Sequence, residues 1–146
     1  MFLGQYEHTI DEKGRMTIPA RYRELLNDSA YITQGFDHNL IVMTAPVFEQ
    51  IYQRVNQMSL TNPVTRQLKR LIFSHADKVE FDRAGRILIP SFLREAIGLQ
   101  DSAVMVGVGS YFEIWAPSQW TQQDKQLQDE ETNNQRFAAL DLSLNE

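Results

Sequence analysis

Apolar and polar residues alternate along two segments of this chain, and each segment leads into the same kind of turn. The segments are Phe2–Ile10 and Asp77–Phe81. Alternation with a period of two predicts half-buried strands. Each strand runs into an Asp-x-x-Gly turn, in which Asp can bond the backbone two residues on and Gly can adopt a positive φ. Second short strands are predicted over Arg15–Ile18 and Arg86–Ile89.

Proline marks the places where these strands give way to helices. Pro19 and Pro90 cannot donate a hydrogen bond to a strand ladder, but proline suits the first turn of a helix. Short helices are therefore predicted over Ala20–Leu26 and Ser91–Ile97. Gly98 is a suitable end for the second of them.

Two further pairs of apolar segments predict hairpins. Tyr31–Gly35 is followed by Leu40–Met43, and Ala103–Val108 is followed by Tyr111–Trp115. The loop between the members of each pair is short, which is typical of antiparallel strands that are neighbours in the chain. The hairpins occupy corresponding places in the two halves of the chain.

Apolar residues at helical spacing follow Pro46, Pro63 and Pro117, and they predict three longer helices. The helix that begins at Pro63 bridges the two halves. Composition then drifts to Gln, Asn, Asp and Glu over residues 128–135, where order is expected to fade. Phe137–Leu144 is apolar again, and it fits either a docking segment or a frayed tail.

The turn motif is written twice in the chain. Asp11–Pro19 returns 71 residues later as Asp82–Pro90, and the match at the same offset extends to Arg23 and Arg94. A repeat that keeps one offset over so many positions indicates an internal duplication. The chain is therefore expected to be an α+β protein of two repeats that share a core. The predicted divisions are a first repeat over 1–56, a linking helix over 57–75, a second repeat over 76–128 and an acidic tail over 129–146.

Composition places the chain among soluble globular proteins. It has 146 residues, of which 42% are hydrophobic and 23% charged, and no cysteine. No apolar run is long enough for a membrane helix and the N-terminus lacks a signal-peptide pattern, so a cytoplasmic protein without membrane contact is expected. The net charge of −5 is unevenly distributed: residues 124–146 carry −4, whereas residues 66–94 carry +4. A local basic surface is thus compatible with an acidic chain.

The repeated turn could read DNA. Its arginine follows the aspartate by four residues, and the planar guanidinium can bond a phosphate or the edge of a guanine with two parallel hydrogen bonds. An arginine in such a turn can equally pair with the nearby carboxylate or face solvent, and the pattern alone does not decide between the two. The candidate residues are Arg15, Arg86, Lys13 and Arg83 for contact with DNA, and Asp11, Gly14, Asp82 and Gly85 for shaping the loops.

Other chemistry is poorly supported by the sequence. The three histidines, His8, His38 and His75, match no metal-binding spacing, and there is no cysteine to complete a zinc site. The Gly-x-Gly at Gly107 lacks the strand-to-helix context of a dinucleotide site. No serine lies in a nucleophile-elbow pattern. We therefore expect neither an enzyme nor a bound metal or cofactor, and we expect the aromatic residues around Trp115 to serve packing rather than base stacking.

The doubled Asp-x-x-x-Arg motif, each copy followed by an Ile-Pro step, resembles the MraZ family of AbrB-like, SpoVT-type swapped-hairpin DNA-binding proteins. The resemblance covers nearly the whole chain, from Met1 to the helix after Pro117. It implies two tandem β-α-β-β repeats of the AbrB-like, double-split β-α-β type. These would form an intertwined, pseudo-twofold, barrel-like core with flanking helices.

The resemblance also implies a function. Members of this family are bacterial transcriptional regulators that bind short direct repeats of double-stranded DNA in the promoter of the cell-division and cell-wall gene cluster, and they assemble into a ring. By position, Arg15 and Arg86 would contact DNA while Asp11 and Asp82 shape their loops. The chain would then be a homo-oligomer associated with the nucleoid.

Two alternatives remain open. An antitoxin-like member of the same hairpin class would bind a partner toxin through its C-terminal segment, and a scaffold ring would act mainly through protein contacts. The two halves also differ within the turn, because Glu12 and Lys13 correspond to Arg83 and Ala84. The halves need not contribute equally.

Overall fold

The computed structural model describes residues 1–144, which form two compact units. The first unit is Met1–Ala116 and the second is Pro117–Glu146. The last two residues of the predicted acidic tail, Asn145 and Glu146, lie outside the described residues. The elements of the first unit are β1 (Gln5–Thr9), β2 (Arg15–Thr17), α1 (Ala20–Leu26), β3 (Ser29–Gln34), β4 (Leu40–Met43), α2 (Ala45–Asn56), α3 (Pro63–Ser74), β5 (Asp77–Glu80), β6 (Arg86–Leu88), α4 (Ser91–Ile97), β7 (Ser102–Gly107) and β8 (Phe112–Trp115). Those of the second unit are α5 (Pro117–Leu127) and α6 (Glu130–Phe137).

The strands form a six-stranded sheet in the order β1-β7-β8-β4-β3-β5 and a two-stranded ribbon of β2 and β6. Every pairing is antiparallel. When each strand is exchanged for its counterpart 71 residues away, the same order is read from the opposite edge of the sheet, so the first unit has a pseudo-twofold axis. Each edge strand pairs with the other repeat: β1 pairs with β7, and β5 pairs with β3. The predicted α+β fold of two intertwined repeats is confirmed.

The predicted elements agree with the structure except at their ends. Helices α1 and α4 have the predicted bounds, and both predicted hairpins form, as β3–β4 and β7–β8. The first strand is shorter than Phe2–Ile10, because Gly4 adopts a positive φ and interrupts the extended backbone. Phe2 and Ile10 still form isolated bridges, to Gly109 and Met16 respectively. His8 lies in β1, and His75 is the C-cap residue of α3.

The core of the first unit lies between the six-stranded sheet and the elements that cover it. An aromatic cluster is built on Tyr22, whose ring centre is 5.1 Å from that of Phe2 and 4.7 Å from that of Phe112. Trp115 is also buried, so the prediction that these aromatic residues pack is confirmed. The ribbon contributes Met16 and Ile87, with exposed fractions of 0% and 1%.

Helices α2 and α3 pack beside β3. Thr44 and Asn62 cap their N-termini by accepting hydrogen bonds from backbone N–H groups, as side chains with oxygen acceptors commonly do. The Phe48 ring of α2 stacks on Tyr31 of β3 at 4.5 Å between ring centres. The Thr33 hydroxyl of β3 donates to a carbonyl oxygen of α3 at 2.6 Å. Helix α3, which links the two repeats, is therefore fixed to β3 of the shared sheet.

Tyr22 gives the core a testable dependence on pH. Its hydroxyl donates to the carbonyl oxygen of Leu3 at 2.8 Å, and burial raises its pKa from the ordinary 10.0 to about 12. A pKa that is raised on folding means that the stabilisation is fully present below pH 10.0 and is lost as pH rises through the folded value of about 12. We expect Tyr22→Phe to lower the free energy of unfolding by about 1 kcal/mol at neutral pH. Between pH 10 and pH 11, the free energy of unfolding of the variant should also decrease less steeply than that of the wild type, as measured by urea unfolding.

The matched control is Tyr52→Phe, which removes the hydroxyl of a tyrosine that is 43% exposed. It should leave the free energy of unfolding at neutral pH unchanged. An equal slope for wild type and Tyr22→Phe would contradict the assignment of this pH dependence to Tyr22.

The second unit contains a helix that the sequence analysis did not predict. Order was expected to fade over residues 128–135, and this prediction was wrong, because α6 occupies most of that segment. The Asp129 side chain caps α6, Glu130 and Glu131 lie in its first turn, and Arg136 lies in its last turn. These charges complement the helix dipole and compensate for the low apolar content. No helix within residues 1–144 is long and apolar enough to cross a membrane.

Candidate nucleic-acid interface

Two loops have the same geometry, one between β1 and β2 and the other between β5 and β6. Loop 1 comprises residues 11–15 and loop 2 comprises residues 82–86. In loop 1 the backbone N–H of Asp11 donates to the carbonyl oxygen of Arg15 at 3.0 Å, and that of Gly14 donates to the carbonyl oxygen of Asp11 at 2.9 Å. Loop 2 has the same two bonds between Asp82, Arg86 and Gly85, at 2.9 and 3.0 Å. The duplicated sequence therefore gives a duplicated backbone.

The aspartate of each loop holds the loop closed. In loop 1, Oδ1 of Asp11 accepts hydrogen bonds from the backbone N–H groups of Lys13 and Arg15, at 3.0 and 2.8 Å. In loop 2, Oδ1 of Asp82 accepts from Ala84 and Arg86, both at 2.9 Å. A side chain that bonds the backbone two residues on fixes a tight turn.

These contacts also keep the aspartates charged. The backbone N–H of Arg15 is the main cause that lowers the pKa of Asp11, and the Arg15 guanidinium lowers it further, against an opposing effect of desolvation. The pKa of Asp82 is lowered in the same way by the backbone N–H and the guanidinium of Arg86. Both carboxylates are therefore ionised at neutral pH, as a stable pair with arginine requires.

The arginine side chains are oriented by the same carboxylates. Nε of Arg15 donates to Oδ2 of Asp11 at 2.7 Å, and Nε of Arg86 donates to Oδ2 of Asp82 at 2.8 Å. Because the hydrogen bond to the loop's own aspartate is made through Nε, that bond does not use the two terminal nitrogens of the guanidinium. The side chains of Arg15 and Arg86 are 35% and 32% exposed. Pairing with the nearby carboxylate and availability to a ligand are thus compatible.

The ribbon brings the two loops together. Strands β2 and β6 pair in the register Arg15 to Leu88, Met16 to Ile87 and Thr17 to Arg86. Nη1 of Arg86 lies 3.7 Å from Oδ2 of Asp11, so an ion pair links one loop to the other. Arg15 and Arg86, which are far apart in the sequence, therefore lie on one small surface.

Each loop is supported by the opposite repeat. The backbone N–H of Ile89 donates to the carbonyl oxygen of Gly14 at 2.9 Å, and that of Ile18 donates to the carbonyl oxygen of Gly85 at 3.1 Å. Gly14 and Gly85 have φ values of 89° and 76°, which side chains rarely adopt. A Cβ at either position would also collide with a guanidinium, that of Arg94 at Gly14 and that of Arg23 at Gly85. The positive φ favours glycine at both positions, and any other side chain would also have to displace the arginine of the other repeat.

Arg23 and Arg94 were not among the predicted site residues. The signal that could have identified them was present, because the two arginines occupy the same position of the repeat. The sequence could not predict what these arginines contact, because each guanidinium lies against the loop glycine of the other repeat. Nε of Arg94 donates to the carbonyl oxygen of Ile89 at 2.9 Å, which anchors it below loop 1.

The loop tips differ in charge. Lys13 and Arg83 are both exposed, and so is Glu12, which has no counterpart among the acidic residues of loop 2. Loop 1 therefore has two carboxylates and two cations, whereas loop 2 has one carboxylate and two cations. The two loops are therefore related by the pseudo-twofold axis in their backbone but differ in their net charge.

Other candidate sites have structural explanations. Gly107 lies against the backbone of Phe2 and Leu3, so its lack of a side chain serves the close approach of two strands. Within residues 1–144, no group of three or more His, Asp or Glu side chains is arranged to hold a metal ion.

The fold and the paired loops define a class: a tandem swapped-hairpin protein in which two halves of one chain exchange strands and present a doubled arginine loop. A family model described as "MraZ protein, putative antitoxin-like" matches the chain twice, over residues 1–71 and 72–142. The chain belongs to the MraZ family.

Relatives agree with this assignment. A protein named Transcriptional regulator MraZ from Roseiflexus sp. (strain RS-1) is 49% identical over 120 residues, which are 82% of this chain and 84% of that protein. Its namesake from Thermomicrobium roseum is 42% identical over 141 residues, which are 96% of this chain and 99% of that protein. The solution structure of PHS018 from Pyrococcus horikoshii gives a TM-score of 0.33 at 16% identity, over 80% of this chain and 97% of that one.

Proposed function

We propose that this chain is a transcriptional regulator that binds double-stranded DNA through loops 1 and 2. The observation that carries the proposal is the pairing of the loops: two arginines, each held through Nε by its own aspartate, lie on one ribbon. The relatives named as transcriptional regulators support the same reading.

The geometry suits the major groove. A two-stranded antiparallel ribbon fits this groove, and a guanidinium held in advance can bond O6 and N7 of guanine with its two terminal nitrogens. Preorientation by Asp11 and Asp82 reduces the side-chain entropy that is lost on binding. We assign base contacts to Arg15 and Arg86.

Lys13 and Arg83 would then contact phosphates. They are exposed at the loop tips, beside the arginines that enter the groove. Phosphate contacts place a protein on DNA without reading its sequence. Because Glu12 offsets part of the positive charge of loop 1, loop 2 supplies the larger share of the electrostatic attraction.

The acidic net charge does not oppose this function if several copies act together. We propose a homo-oligomeric ring that binds short direct repeats in the promoter of the cell-division and cell-wall gene cluster, at the nucleoid. Tethered copies facing repeated sites gain in affinity by roughly 10²–10⁴-fold through effective concentration. Exposed apolar side chains such as Met1, Leu3 and Leu25 lie in the first unit, and they offer surface for contacts between subunits.

Fluorescence anisotropy tests this proposal. The labelled duplexes carry promoter-like direct repeats or a scrambled sequence, and binding is measured at two salt concentrations. Repeat-dependent binding is expected, and the slope of log affinity against log salt should give the phosphate contacts at about 0.9 per phosphate. Equal or absent binding to both duplexes would contradict the proposal.

A second candidate function rests on the C-terminal segment. Leu140, Leu142 and Leu144 are 67%, 88% and 85% exposed. Exposed leucines of this kind fit the antitoxin-like alternative, in which the segment binds a partner protein, and also the scaffold ring. Removal of residues 138–146 should leave DNA binding unchanged if the loops act as proposed. If protein contact is the main activity, the same removal should abolish binding to the partner protein or to other subunits.

A further inference from the structure

The outer surface of the ribbon combines two arginines with two side chains that bear methyl groups. Alternation along β2 and β6 directs Met16 and Ile87 into the core, and it leaves the other four side chains on the opposite face. We call this surface the ribbon face, which consists of Arg15, Thr17, Arg86 and Leu88. In the register of the ribbon, Leu88 lies directly across from Arg15, and Thr17 lies directly across from Arg86.

Leu88 is an exposed apolar residue between charged side chains of this surface. Its exposed fraction is 53%, although the residue before it is buried and a large charged side chain lies across from it. Exposure of a leucine beside arginines loses the benefit of apolar burial unless a ligand covers the side chain. A ligand that matches this surface accepts hydrogen bonds from a guanidinium and offers an apolar group next to its acceptors.

The major groove of DNA has both features. The C5-methyl group of thymine is the apolar group that the groove presents, and guanine beside it presents two acceptors. Directly opposed side chains on an antiparallel ribbon have Cβ atoms about 4.5–5.5 Å apart. Adjacent base pairs are about 3.4 Å apart along the axis, so the two side chains of one cross-strand pair can reach neighbouring base pairs.

We propose that Leu88 and Thr17 are specificity-determining residues that contact thymine methyl groups, each beside the base that the opposed arginine contacts. This inference rests on the proposed DNA-binding function. It extends that function by assigning residues that recognise the bases next to those contacted by the arginines. Thr17 and Leu88 occupy equivalent positions of the two repeats but are different residue types, whereas the equivalent Arg15 and Arg86 are both arginine. The two loops therefore share one base contact and differ in the neighbouring one, with the larger apolar contact at Leu88.

The test begins with a duplex that the wild-type protein selects from a random-sequence pool. Each thymine of that duplex is replaced singly by uracil, which removes only the methyl group, and affinities are measured by anisotropy. We expect two thymines at which this replacement weakens wild-type binding, and the effect at the one that faces Leu88 should be about fourfold, the effect of one buried methyl group. Leu88→Ala should weaken binding to the unmodified duplex and bind the thymine and uracil duplexes equally at that position.

Thr17→Ser tests the other loop, because serine retains the hydroxyl and loses only the methyl group. It should remove the thymine preference at a second position and keep the first. Leu60→Ala is the matched control, since Leu60 is 65% exposed and lies outside the ribbon. This variant should discriminate thymine from uracil as the wild type does.

The outcomes separate this inference from the proposed function. Arginine-dependent binding without any effect of uracil would overturn the inference and leave the function intact. A thymine preference that persists in both Leu88→Ala and Thr17→Ser would also overturn it. If the wild-type protein selects no DNA from the pool, the proposed function fails and the inference fails with it.

Discussion

Replacement of Arg15 and Arg86 together by alanine is expected to abolish sequence-specific DNA binding. A good bidentate base contact contributes about 1–3 kcal/mol, so the loss of two contacts should reduce affinity by at least about thirtyfold. Each single variant should lose about fivefold or more. The measurement is anisotropy with the repeat-containing duplex at fixed salt, with circular dichroism to show that the variants fold.

Two controls distinguish base reading from charge. Arg54→Ala with Arg70→Ala removes the same charge from exposed positions outside the loops and should retain the preference for the repeats. Arg15→Lys with Arg86→Lys retains the charge but loses the planar fork, so binding to scrambled DNA should persist while the preference is lost. Undiminished binding by the double alanine variant would contradict the assignment of the interface to these loops.

Replacement of Ile87 by alanine is expected to cost more stability than any surface change in the ribbon. Ile87 is 1% exposed and pairs across the ribbon with Met16, which is fully buried. Removal of large apolar side chains from a core typically costs about 2–5 kcal/mol, because a cavity remains where the side chain was. The expected result is a loss of this size in the free energy of unfolding, measured by urea denaturation at one fixed protein concentration.

The adjacent residue provides the control. Leu88→Ala removes a similar side chain from the opposite face of the same strand, where it is 53% exposed. A surface substitution of this kind usually changes stability by less than about 0.5 kcal/mol. Equal losses for the two variants would show that the ribbon does not pack as described.

Local signals in the sequence predicted most of the elements. Pro19 and Pro90 marked the starts of α1 and α4, and Asp-x-x-Gly marked the loops, because these residues act on the backbone within a few positions. The repeat at a fixed offset predicted the two halves. Helix α6 was missed because its polar residues resemble a disordered tail, whereas Asp129 caps it and its charges match the helix dipole.

The candidate site could be predicted in its residues but not in its arrangement. Arg15 and Arg86 were identified as candidates from the duplicated motif, and their role in DNA binding stays a prediction. The pairing of Arg15 with Leu88, and the support of Gly14 by Arg94, join residues from opposite halves of the chain. No local pattern encodes such contacts, since they depend on which strands of the two repeats exchange places.

The sequence by itself determined the duplication, the two loops and the residue types that could bind a nucleic acid, because turn chemistry and apolar periodicity act over short distances. Only the tertiary structure decided that β1 pairs with β7, that β5 pairs with β3, and that β2 and β6 form the ribbon. The physical reason is that the two repeats bury their apolar faces in one common core. That shared core places both arginines on a single surface.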